Sequence, residues 1–288
     1  MPGSSDTGAM PIAAGSRIDS LLKNPPLDAL ETRILLGHVL QLTRVQLITR
    51  SERALSADEA RHLSALVQRR RDGEPIAYLV GAREFYALSF EVTPDVLIPR
   101  PETELLVELA LQHAAPRSRI LDLGTGSGAI AVALAHARPD LAVTALDLSA
   151  AALVVAQRNA ARHRVQIHFL HSDWFGALQN QRFDLIVANP PYIVAGDVHL
   201  AQGDLRFEPI GALTDHADGL SALRIIIGGA AVHLAPHGRL LVEHGYDQAP
   251  AVRDLFAVAG WQQVQSWRDL AGIERVSGGV LGEDAPAA

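Results

Sequence analysis

The chain has 288 residues, of which 48% are hydrophobic, a formal charge of −7 and no cysteine. This is enough material for two domains with substantial cores. The missing cysteines exclude a disulfide scaffold, a zinc-thiolate site and a thiol nucleophile, and the acidic balance argues against a protein that wraps bare nucleic acid through its phosphates. Residues 1–15 lack a basic segment followed by an apolar run, and nowhere are there about 18 uninterrupted apolar residues, so a cytoplasmic protein with no membrane association is expected.

Residues 16–72 read as helical. Leu27, Leu30, Ile34, His38 and Val39 recur at helical spacing as one apolar stripe, and Ser56-Ala57-Asp58-Glu59 is a capping box ahead of Leu63, Leu66 and Val67. Gly73 ends that helix. Arg69-Arg70-Arg71, the only basic run, falls in its last turn, where it meets the negative end of the helix dipole. The predicted organisation is a helical bundle over 1–74, a hairpin and linker over 75–101, and an α/β domain over 102–288. In the linker, 85–92 alternates with a break in the middle, Pro94 and Pro99 keep the chain extended, and Pro101 opens a helix that buries Leu105, Leu106 and Leu109.

From residue 119 strands alternate with helices, the pattern of a doubly wound, mostly parallel sheet. Strands are predicted at 119–123, 142–146, 165–170, 183–188 and 238–243, with a last pair at 261–267 and 274–280. The first strand runs into Asp122-Leu123-Gly124-Thr125-Gly126-Ser127-Gly128-Ala129 and then a helix carrying Ile130 and Leu134. Gly124, Gly126 and Ala129 also satisfy the dinucleotide fingerprint, and Asp147, about 20 residues on at the end of the second strand, suits a ribose in either nucleotide reading. Ser149 caps the helix after it. The glycine turn therefore points to an adenosine cofactor without saying which.

Asn189-Pro190-Pro191-Tyr192, directly after the apolar run 183–188, is more selective. Two prolines end the strand, since neither donates to a ladder. They leave a stiff loop with the Asn189 amide oxygen, the Pro190 carbonyl and the Tyr192 ring, two acceptors and a flat wall for a planar –NH2 group. His168 and His171 lack a third ligand, so no metal site is expected. The ends, 1–14 and 282–288, are expected to stay loose.

The glycine turn paired with the double-proline loop resembles S-adenosylmethionine-dependent methyltransferases acting on planar nitrogens. Pro75-Ile76-Ala77-Tyr78-Leu79-Val80-Gly81, Phe85-Tyr86, Val96-Leu97-Ile98-Pro99-Arg100-Pro101-Glu102-Thr103-Glu104, Ser172-Asp173-Trp174-Phe175, Phe207-Glu208-Pro209 and Asp269-Leu270-Ala271-Gly272 are similar to the HemK-type (PrmC) family that methylates glutamine in peptide-chain release factors. The similarity spans roughly residues 20–280. It implies a seven-stranded Rossmann-like methyltransferase domain whose last strand pair is antiparallel, with the N-terminal bundle docking the protein substrate. S-adenosylmethionine would rest on Gly124, Thr125, Gly126, Ser127 and Gly128, with its ribose on Asp147, its adenine beside Asp173 and Trp174, and Asn189 near its methyl group. Asn189, Pro190, Pro191 and Tyr192 would hold the acceptor.

The family also places Arg100, Glu102 and Thr103 at the border of the site; Asp122 is read equally well as serving the turn's own N–H groups. The acceptor implied is the glutamine of the Gly-Gly-Gln tripeptide in class I release factors. A ribosomal-protein glutamine and an adenine amino group on nucleic acid remain the alternatives, because each offers the same planar nitrogen.

Overall fold

The computed structural model describes residues 11–282, so most of the expected loose ends lie outside the described residues. The chain divides into two compact units, one ending at Val80 and the other beginning at Gly81. The division lies beyond residue 74 because Ile76–Val80 forms a helix whose Leu79 joins the core of the helical unit.

The helical unit contains Ile18–Lys23, Ala29–Leu40, Arg44–Thr49, Ala57–Arg71 and Ile76–Val80. The capping box closes in both directions: Glu59 N–H donates to Ser56 Oγ at 3.2 Å, and Ser56 N–H to Glu59 Oε2 at 2.9 Å. Leu63, Leu66 and Val67 are buried. Gly73, with φ of +98°, turns the chain out of the helix, and Glu74 N–H reaches back to the Arg69 carbonyl. Arg69, Arg70 and Arg71 occupy the last helical turn and also have individual partners in Glu74, Glu31 and the Pro26 carbonyl. The stripe expected on the second helix is displaced. Thr32, Leu35, Leu36 and Leu40 are its buried residues, while Leu30 and Ile34 are exposed, because neighbouring helices cover the face centred on Leu35 and Leu36.

In the second unit, β1 (Ala82–Phe85) and β2 (Leu88–Glu91) form the hairpin. Its two turn residues, Tyr86 and Ala87, both have positive φ, the geometry of a two-residue hairpin loop that glycine and asparagine usually supply. Glu104 Oε1 accepts the Tyr86 N–H at 2.8 Å and anchors that turn.

The large sheet comprises β3 (Arg119–Leu123), β4 (Ala142–Asp147), β5 (His168–His171), β6 (Phe183–Ala188), β7 (Leu234–Glu243), β8 (Gln262–Arg268) and β9 (Glu274–Val280), in the order β5-β4-β3-β6-β7-β9-β8. All neighbours are parallel except β9, which runs antiparallel between β7 and β8. This is the α/β Rossmann-like methyltransferase fold. Alternate side chains of the central strands enter two cores. Ile120, Val143, Ala145, Leu185, Val187 and Leu241 pack with the helices Glu104–His113 and Ala129–Ala137 on one face; Leu121, Leu123, Leu146, Ile186, Leu240 and Val242 pack with Ile226 and Phe256 on the other. β5 starts later than expected because Arg164, in a left-handed conformation, ends the preceding helix and Val165 N–H still bonds back to Ala160. Helix Glu104–His113 buries Leu106, Val107, Leu109 and Ala110, with Leu105 only partly covered.

Candidate active site

The order in which strands are added to the sheet reverses between β3 and β6, and ligands of open α/β sheets bind outside the carboxyl ends of strands at such a point. A cavity of about 300 Å3 lies there. Gly124 and Gly126, Leu146 to Ser149, Ser172 to Trp174, Asn189 and Pro191 line it from successive strand ends. Segments 95–97 and Pro209, Gly211 and Ala212 complete the wall.

Backbone builds one side of the cavity. A side chain placed on Gly126 would meet open space, and the ring of Trp174 stands 3.9 Å from where a Gly124 side chain would begin. Asp147 Oδ2 accepts the Gly126 N–H at 2.8 Å, and its Oδ1 accepts the Ser149 N–H at 2.8 Å. Burial pushes the Asp147 pKa up, while these two N–H groups hold it back. Each oxygen keeps lone-pair capacity for a further donor such as a ribose hydroxyl. Asp173 is exposed on the rim. The Ser172 hydroxyl donates to the Trp174 carbonyl at 2.8 Å and accepts the Ala177 N–H at 2.9 Å, fixing a turn in which Trp174 has a φ of +42°.

Thr125, Ser127 and Gly128 do not line the cavity. The Thr125 hydroxyl donates to Asp122 Oδ2 at 2.6 Å, and the Ser127 carbonyl accepts from Asn159 at 2.8 Å. Gly128 faces the neighbouring helix; a side chain there would lie 3.1 Å from Ala156, so this glycine serves helix packing. Asp122 is fully buried beneath the turn. Burial pushes its pKa up to about 7 against the pull of the Thr125 hydroxyl and the Ala131 N–H.

Side chains build the other side. Asn189 Nδ2 donates to Thr103 Oγ1 at 3.1 Å, which leaves the amide oxygen free to accept. Pro190 is buried and Tyr192 half-buried, and neither is among the residues that line the cavity. The Tyr192 hydroxyl donates to Glu243 Oε1 at 3.4 Å, and burial followed by the Glu243 charge pushes its own pKa up, which keeps it a donor. The Tyr192 carbonyl accepts from Gln248 Nε2 at 3.0 Å.

Arg100 forms an ion pair with Glu208, whose other oxygen accepts the Ile98 N–H at 2.9 Å; this ties the 95–100 segment to the loop carrying Pro209. Of the three border residues, Arg100 and Thr103 thus act by holding other parts, and Glu102 is exposed. Asp95, Gly211 and Ala212 belong to no motif of the sequence, and Val96 and Leu97 enter only through the stretch that carries the family resemblance. Glu243 showed only as the end of an apolar strand.

Two family models match, one described as the methyltransferase small domain over residues 101–204 and one as the PrmC N-terminal domain over residues 16–81. The release factor glutamine methyltransferase of Burkholderia pseudomallei (strain K96243) is 57% identical over 272 residues, covering 91% of this chain and 95% of its own length. This chain belongs to the release factor glutamine methyltransferase family. The member from Bordetella pertussis (strain Tohama I) is 54% identical over 269 residues, 92% of this chain and 99% of its own. A methyltransferase structure from Pyrococcus furiosus shares the fold, with a TM-score of 0.53 at 17% identity over 75% of this chain and 97% of that one.

As a release factor glutamine methyltransferase, the chain uses S-adenosylmethionine. The site suits that cofactor: a cradle of bare backbone, a carboxylate with spare acceptor capacity, a rim carboxylate and an indole. Among the described residues no group of three or more His, Cys, Asp or Glu side chains could hold a metal, and no helix is long and apolar enough to cross a membrane.

Proposed function

We propose that this methyltransferase modifies the side-chain amide nitrogen of the glutamine in the Gly-Gly-Gln tripeptide of class I release factors, in the cytoplasm, without stable binding to nucleic acid. The observation that carries the reading is the Asn189 amide. Its nitrogen is committed to Thr103, so its oxygen faces the acceptor as a hydrogen-bond acceptor, beside the Pro190 carbonyl in a loop stiffened by two prolines.

A carboxamide nitrogen is a poor nucleophile, since its lone pair is delocalised into the carbonyl. Bound S-adenosylmethionine supplies a strongly electrophilic sulfonium methyl group, so the protein has to orient the nitrogen rather than deprotonate it, and the methylated amide cation, a strong acid, then gives its extra proton to water. Asn189 and Pro190 accept the two N–H bonds, which aims the out-of-plane lone pair and stabilises the positive charge that develops on nitrogen. Tyr192 packs on the amide plane, and Pro191 holds the loop. On the other side Gly124 and Gly126 give backbone access, Asp147 takes the ribose hydroxyls, and Asp173 and Trp174 take the adenine. Thr125, Ser127 and Gly128 support that cradle from behind. The helical unit that ends at Val80 serves as the docking module for the protein substrate.

The test is transfer of a labelled methyl group from S-adenosylmethionine to purified release factor, ribosomal protein and adenine-containing DNA in parallel, with mass spectrometry of the products. Label on the Gly-Gly-Gln glutamine alone is the expected result. Methylated adenine with untouched release factor would overturn the substrate and keep the clamp.

A further inference from the structure

The clamp demands of Asn189 something the residue cannot supply by itself. Half a turn of its amide exchanges oxygen and nitrogen with almost no change of shape, and only one of the two orientations presents an acceptor. The bond from Nδ2 to Thr103 selects it. Thr103 is itself buried, and a hydroxyl that accepts from Asn189 must send its own proton elsewhere. The Glu243 carboxyl lies beside it at the end of β7, buried to 1% exposure. Its Oε1 receives the Tyr192 hydroxyl, and its Oε2 has no hydrogen-bond partner.

A buried carboxyl with an open acceptor is costly, and Leu240, Leu241 and Val242 just before it show what this strand uses where only packing is needed. Neither Glu243 nor Thr103 lines the cavity, so neither touches a bound molecule there.

We propose that Glu243 is a positioning residue for methyl transfer: through the Thr103 hydroxyl it fixes the acceptor orientation of Asn189, and directly it fixes Tyr192. In this reading the Thr103 hydroxyl turns its proton to the open Glu243 Oε2, and the ionised carboxylate only accepts, so donors run from Asn189 to Thr103 to Glu243 and from Tyr192 to Glu243. Burial pushes its pKa up to about 7; Thr103, Tyr192 and Arg275 favour the ionised form and Glu102 opposes it. An amide at position 243 would donate to Thr103 and turn its hydroxyl toward Asn189, which rewards the wrong amide orientation. The inference rests on the reading of Asn189 as the clamp.

The experiment compares Glu243→Gln, Thr103→Val, Thr103→Ser, the Glu243→Gln/Thr103→Val double variant and Asn189→Ala in the full chain. It measures kcat and KM for release factor at saturating S-adenosylmethionine, cofactor Kd by calorimetry and folding by circular dichroism. Glu243→Gln and Thr103→Val should each lower kcat by about tenfold or more with cofactor Kd and release-factor KM within about threefold, the pattern of a lost transition-state orientation. Thr103→Ser keeps the hydroxyl and should keep kcat within about threefold, and the double variant should be no worse than the weaker single one, because both cut the same chain.

Normal kcat in Glu243→Gln or Thr103→Val, or losses that multiply in the double variant, overturns the proposal. If Asn189→Ala is inactive in that case, the clamp reading survives alone; if Asn189→Ala is active, the clamp reading itself fails. Should Glu243→Gln not fold, the contrast between valine and serine at position 103 decides.

Discussion

The two sides of the cavity are built from different materials. At the ends of β3 and β4 the walls are glycine backbone, and the one committed side chain, Asp147, is held by two backbone N–H groups. At the ends of β6 and β7 the working atoms are side chains held by other side chains, Asn189 by Thr103 and Tyr192 by Glu243. A surface made of backbone survives most single substitutions, whereas a chain of side-chain hydrogen bonds fails at any link. Cofactor binding and turnover should therefore separate cleanly under mutation.

The sharpest break comes at the clamp. Asn189→Ala removes an acceptor that meets charge only as it develops, and steady-state assays should show kcat down by about 10²–10³-fold with cofactor Kd nearly unchanged. Asp147→Ala should do the reverse, weakening S-adenosylmethionine by about 1–3 kcal/mol in calorimetry while kcat at saturation stays close to wild type. Gly219 tests whether the backbone behind the clamp matters as much as its side chains. Its φ is +76°, and a side chain there would sit 2.5 Å from the Tyr192 carbonyl oxygen and 2.8 Å from Gln248 Nε2. Gly219→Ala should displace the loop, cost about tenfold in kcat and lower the melting temperature, with cofactor Kd unaffected; unchanged kinetics would mean that the loop tolerates movement.

These contrasts follow how far the sequence could be read. Apolar runs bounded by turn residues place the five parallel strands of the main sheet, and the capping box at Ser56 places a helix start, because those signals are local; the last strand pair, with Gln262–Arg268 largely polar, follows from the family resemblance. Which face of the second helix is buried was not legible: Leu30 and Ile34 have the right spacing, but so do Leu35 and Leu36, and only the neighbouring helices choose between them. Glycine patterns likewise mark a cradle without saying which glycine faces the ligand; Gly126 does, and Gly128 packs against Ala156. The proposed acceptor side is marked by Asn189-Pro190-Pro191-Tyr192; Thr103, 86 residues from its partner Asn189, lies in the Arg100-to-Glu104 stretch that carries the resemblance, whereas Glu243, 51 residues from Tyr192, shows only as the end of an apolar strand.

A separate effect, on stability rather than on binding or turnover, is a pH dependence at the cofactor turn. The folded chain holds the Asp122 pKa at about 7, above the ordinary carboxyl value of 3.8. A raised folded pKa contributes stability that is complete below the lower value and lost as pH rises through the higher one. Asp122→Asn removes this term, so its melting temperature relative to wild type should climb as pH rises from about 4 to about 7 and then level off. A difference that stays flat across that range would mean that Asp122 ionises freely in the folded chain.

The central claim, that one side of the cavity holds the methyl donor and the other aims the nitrogen, is tested most directly by a paired measurement on Asn189→Ala and Asp147→Ala. Cofactor Kd by calorimetry and methyl transfer to release factor at saturating S-adenosylmethionine would be recorded for both. The predicted result is a crossover, with wild-type binding and lost turnover in the first variant and weakened binding with preserved turnover in the second. Parallel loss of both properties in both variants would contradict the division.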